Sequence, residues 1–154
     1  MTETSTATDT TTKPTWDETW ARIGSEDMLA AKALIELSPS LRAEAGFWLT
    51  YDEQPVYASD AWDAEQIGTE QGDPIFDYPA WLADVEKNGR GWSSTEGRLF
   101  QVVASLLDAE RKMPLRFVLD AMGSWETDVW RILVAWGTGG NNREYPGRAT
   151  VVTR

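Results

Sequence analysis

The sequence predicts a mainly α protein: a compact bundle of six or seven short-to-medium helices, with a disordered N-terminal tail and scope for a small C-terminal β-hairpin. Three observations carry this. Apolar residues recur at helical spacing in segment after segment. Ser, Pro and Gly stand where helices start and stop. Only Ala149–Thr153, ATVVT, reads clearly as a strand.

Residues 1–15 are Thr-rich and carry no large apolar side chain after Met1. They cannot bury enough area to offset the entropy of ordering, so a disordered tail is expected there. Residues 16–154 are expected to form a single helical domain. Trp16, Trp20 and Ile23 share one helical face before Gly24 interrupts it. Ser25 then caps a segment from Glu26 to Leu37, rich in Leu, Ile and Ala. Ser38-Pro39 restarts the pattern, because proline is tolerated in a first turn. Leu41, Ala45, Trp48 and Leu49 follow at helical spacing, which predicts a helix over 40–50.

Residues 52–79 read as an irregular acidic segment. Pro55, Pro74, Pro79, Gly68 and Gly72 punctuate it, and one short helix is expected at Asp60–Ile67. Pro79 opens a helix over Ala80–Lys87, which Asn88-Gly89 ends. Residues 92–136 are expected to form a three-helix core. Ser93 with Glu96 makes a capping box ahead of Leu99, Val102, Val103, Leu106 and Leu107. A second helix runs from Pro114 to Met122, and a third occupies Gly123–Gly137.

This last stretch is apolar over most of its girth, which predicts a central, buried helix that organises the core. Ser124 is its expected N-cap and Gly137 its left-handed C-terminal stop. The last two helices of the core have helix-turn-helix proportions.

The formal charge is −11, and it is unevenly placed. Residues 52–86 hold ten acids and no base, while residues 87–154 are net basic by three. Bulk binding to nucleic acid or to anionic membranes is therefore disfavoured. No apolar run reaches the roughly 20 residues of a membrane helix. The first residues lack the basic and apolar regions of a secretory signal, so a cytoplasmic location is expected.

The chain contains no cysteine and no histidine. Thiolate and imidazole nucleophiles, imidazole metal ligands and zinc-cysteine sites are thereby excluded. No segment matches a calcium-binding EF-hand loop, and no cofactor or metal is expected. The Gly-rich loop at 137–143 follows a helix, where the dipole end is negative, so it does not read as a phosphate cradle.

What remains is a non-enzymatic acidic protein that regulates by binding another protein, one with a basic surface. The expected contact surface is the acidic middle: Tyr57, Asp60, Trp62, Asp63, Glu65, Asp73, Asp77 and Tyr78. Carboxylates would give charge complementarity, and the aromatics would anchor the interface. A more specific alternative is an inhibitor that mimics nucleic acid, of the anti-restriction or anti-CRISPR kind. A helix-turn-helix transcriptional regulator using Arg131, Arg143 and Arg148 is a third option, opposed by Glu126 and Asp128 on its reading helix. A carboxylate-based enzyme is a fourth, since paired acids can run acid/base chemistry without histidine.

Overall fold

A computed structural model describes residues 13–58, 65–113 and 123–137. Mainly α holds: six α-helices and one two-stranded sheet are found among the described residues. The helices are α1 (Trp16–Trp20), α2 (Glu26–Ile35), α3 (Pro39–Gly46), α4 (Tyr78–Asn88), α5 (Ser94–Leu107) and α6 (Glu126–Gly137). Between α3 and α4 run strands β1 (Leu49–Tyr57) and β2 (Gln66–Phe76). The expected helix Pro114–Met122, the ATVVT strand and the loop after Gly137 lie outside the described residues, as do residues 1–12.

Local signals fix most helix starts. Thr15 caps α1 in a full capping box with Glu18, and Pro14 beside it is buried. Ordered packing therefore begins ahead of Trp16. The hydroxyls of Ser25 and Ser38 accept from the backbone of Met28 and Leu41 and open α2 and α3. At α5 the expected box is present: Glu96 N donates to Ser93 Oγ at 3.1 Å, and Ser93 N donates to Glu96 Oε1 at 3.2 Å. Asn88-Gly89 ends α4 as expected, with Gly89 at φ 70°, which a Cβ would strain.

Among the described residues the helix with most neighbours is α2 rather than the Gly123–Gly137 stretch. Helix α2 packs against α3, α5 and α6. It does so through small and branched side chains: Ala30, Ala31, Ala33, Leu34 and Ile35 are all buried. Alanines let neighbouring helix axes approach closely, so α2 can take partners on several sides at once. In α6 only Val129, Ile132 and Ala135 are buried, while Val134 and Trp136 are exposed. Trp136 still ties α6 to α2, donating from Nε1 to Asp27 at 2.7 Å. The ends of this helix also differ from expectation. Gly123–Trp125 is a 3-10 turn leading into α6, and its left-handed glycine is Gly123 at φ 57° rather than Gly137.

The acidic middle is not irregular: β1 and β2 pair as an antiparallel hairpin from Leu49↔Phe76 to Tyr57↔Gln66. The helix expected over 40–50 stops at Gly46, and Leu49 and Thr50 belong to β1. Leu49 satisfies the helical spacing of α3, but it reaches the core equally well from a strand opposite Phe76. The short helix expected at Asp60–Ile67 is replaced at its described end by β2, since Gln66 and Ile67 are strand residues. Two irregularities interrupt the pairing. Gly72 and Asp73 together oppose Asp52, and Ile67 is the extra residue opposite the Val56–Tyr57 step. Gly72 is required by close approach: a Cβ there would stand 2.7 Å from Gln54 Cγ and 3.0 Å from the Asp52 carbonyl oxygen.

Aromatic rings join the hairpin to the helices. Phe76, at the end of β2, lies 5.7 Å from Trp20, 6.5 Å from Trp16, 6.2 Å from Tyr78 and 5.7 Å from Trp81, between ring centroids. Trp81 continues the chain of rings to Phe100 at 5.1 Å. Arg42 caps it at the other side, over the Trp16 ring at 4.0 Å. Indole N–H groups at the margins find carboxylates: Trp16 donates to Glu36 and Trp81 to Glu44, each at 2.8 Å.

Candidate protein-binding surface

Eight acids of the segment 52–86 fall among the described residues, and the structure divides them by role. Four are engaged by the fold. Asp73 pairs with Arg22 at 2.8 Å, and Asp77 is the N-cap of α4, accepting from Ala80 N at 3.3 Å. Asp84 accepts from Arg90 at 2.6 Å, and Glu86 lies 3.7 Å from Arg111. The Arg90 guanidinium first, then the Asn88 amide, hold the Asp84 carboxyl below its ordinary value. Arg90 also donates to Glu44 at 2.8 Å, so this cluster is a strut between α3, α4 and the loop before α5.

The remaining four acids are Asp52, Glu53, Glu65 and Glu70. All are exposed, and all sit on the hairpin or at its outer end. No cation of the described residues lies within 4.0 Å of them. Asp52 accepts from the neighbouring amide of Gln54 at 2.8 Å.

Strand alternation assigns their faces. Leu49, Tyr51 and Glu53 follow the core side of β1, graded from buried to exposed as the hairpin leaves the helices. Thr50, Asp52 and Gln54 follow the outer side, and the pairing Gln54↔Glu70 puts Glu70 with them. The carboxylates thus occupy both faces of a ribbon rather than one. Near the outer end two large apolar side chains are bare: Tyr57 at 51% and Ile67 at 65% exposure.

The structure places the candidates named from sequence in different settings. Tyr57 and Glu65 stand together at the outer hairpin. Asp73 lies on the hairpin but is committed to Arg22. Asp77 and Tyr78 belong to the start of α4: Asp77 caps it, and the half-buried Tyr78 ring packs beside Phe76. They contribute to the fold rather than to an open surface. Asp60, Trp62 and Asp63 lie outside the described residues. Sequence reasoning passed over Asp52, Glu53, Ile67 and Glu70 as site members. Their signal was present in the run of β-compatible residues Val56-Tyr57 and Ile67 to Thr69, masked by the prolines and glycines around it.

A cleft of about 410 Å³ lies at the hairpin root, lined by residues of both strands and by Lys13-Pro14. Leu49, Tyr51, Asp52, Glu53, Thr69 and Glu70 are among its lining residues. Lys13 at its margin donates from Nζ to the Phe47 carbonyl oxygen. Among the described residues no group of three or more acids is arranged to hold a metal ion, and no helix is long and apolar enough to cross a membrane. No family model matches the chain, and neither the curated proteins nor the solved structures offer a match to it.

Proposed function

We propose that this is a non-enzymatic, acidic, cytoplasmic protein that regulates a partner by binding it, and that the partner presents a basic surface to the β1–β2 hairpin. The observation that carries this is the selective release of charge. Where the fold uses acids, it pairs them with Arg22, Arg90 or Arg111 or with a helix N-terminus. On the hairpin it leaves Asp52, Glu53, Glu65 and Glu70 exposed beside Tyr57 and Ile67. Unpaired carboxylates around a few apolar anchors suit recognition of a cationic protein. Acid catalysis has less support, because it calls for a carboxyl held above its ordinary value. Asp84 and Glu96 are instead moved down by their hydrogen-bond donors.

Affinity capture with the full chain tests this, alongside a variant carrying Asp52→Asn, Glu53→Gln, Glu65→Gln and Glu70→Gln. A partner retained by the wild type should elute between about 0.15 and 0.5 M salt and be missing from the variant eluate. Random duplex DNA should not bind at low salt. Binding to DNA, or equal capture by both proteins, would overturn the proposal. A captured protein whose basic groove normally holds nucleic acid would single out the nucleic-acid mimic.

A further inference from the structure

We propose that the cleft at the hairpin root is the specificity site of this surface, and that its occupant is a basic segment of the partner polypeptide. The inference rests on the protein-binding reading above. The cleft is about 410 Å³, within the range of sites that hold a few side chains. Its lining includes the apolar Leu49 and Tyr51 and the buried Pro14, beside the neutral polar Thr50, Thr69 and Gln71.

The charge around it is one-sided. Asp52, Glu53 and Glu70 all belong to its lining. Among the described residues Lys13 is the only cation of the lining. Its ammonium is already engaged by the Phe47 carbonyl rather than by any of these carboxylates. An incoming arginine or lysine therefore meets uncompensated negative charge, while an apolar neighbour on the same segment covers Tyr51.

The edges of the ribbon favour this side-chain mode over added strand pairing. Pro55 and Pro74 interrupt the donor rows of the two strands, and the irregularities at Gly72 and Ile67 break their regularity. These are devices that blunt a sheet edge.

The test uses a phage library of random peptides of about twelve residues, panned on the immobilised full chain. An enriched peptide is then synthesised and titrated against three variants whose folds are checked by circular dichroism. Enriched sequences should carry an excess of Lys and Arg. Glu53→Gln should weaken the chosen peptide by about threefold. Thr69→Lys, which puts a cation into the cleft from an exposed position, should weaken it by about tenfold. Glu110→Gln, an exposed acid outside the hairpin, should leave binding within about twofold.

If basic peptides bind but the two cleft variants behave as wild type, the cleft is wrong and the acidic hairpin stands. If panning yields no peptide, or peptides without an excess of cations, the cleft and the protein-binding reading fall together.

Discussion

Phe76 is the side chain on which the hairpin's position depends, and replacing it measures that dependence. It is 5% exposed and touches rings from α1 and α4 at once. Phe76→Ala removes an aromatic side chain of roughly 150–200 Å² buried area, worth about 4–5 kcal/mol at 25 cal per Å². Measured losses for buried Phe→Ala run at about 3–5 kcal/mol, so the two routes agree. Phe76→Leu refills most of the volume and should cost about 1–1.5 kcal/mol. Urea unfolding followed by tryptophan fluorescence is the suitable assay, because Trp16, Trp20 and Trp81 all border the site. With an m-value of about 1.5 kcal/mol/M, the alanine variant should lower the midpoint by about 2–3 M and the leucine variant by less than about 1 M. A loss below about 1 kcal/mol for Phe76→Ala would refute the claim that this ring fastens the hairpin to the helices.

Two further substitutions probe the elements around it. Gly72→Ala should destabilise by about 1–2 kcal/mol, because the new methyl meets Gln54 Cγ at 2.7 Å and the Asp52 carbonyl at 3.0 Å. Adding Gln54→Ala should recover part of that loss, and a double-mutant cycle with no coupling would show that the contact is not what matters. Glu96 gives a pH test. The Ser93 backbone N–H first, then the Ser40 and Ser93 hydroxyls, hold its carboxyl below the ordinary 4.5. A carboxyl with a depressed folded-state value stabilises above its unfolded value and loses that contribution as pH falls through the folded one. Glu96→Gln can still accept from Ser93 but cannot titrate. The wild type should therefore exceed this variant at pH 7, with the gap closing as the pH drops below about 4.5. An unchanged gap in urea midpoint down to about pH 3 would show that the ionised form is not what the cap uses.

The helices were legible because their signals are local. Ser25, Ser38 and Ser93 each cap the residue three places on, and the stripe from Leu99 to Leu107 needs only one buried face to make sense. Rank among the helices was not legible. Hydrophobicity points to Glu126–Gly137, yet centrality went to α2, whose alanines are weak hydrophobes but leave room for neighbours on several sides. A stripe of small residues shows its value only once the helices that use the space are in place.

The hairpin was hidden for a different reason. Pro55, Pro74, Gly68 and Gly72 read as loop because they would break an interior strand. In a two-stranded ribbon each strand has one free edge, so half of its backbone groups have no partner to lose, and the same residues are tolerated. The site inherits that difficulty. Which acids share a face depends on period-two alternation, and the alternation is reset wherever a strand takes an extra residue. Counting along β2 from Phe76 would place Glu70 on the core side. The extra residue at Gly72-Asp73 puts it opposite Gln54, on the outer side with Asp52. The charge layout of the hairpin is therefore a property of the pairing between strands, and composition alone could reveal that acids were concentrated here but not which way they faced.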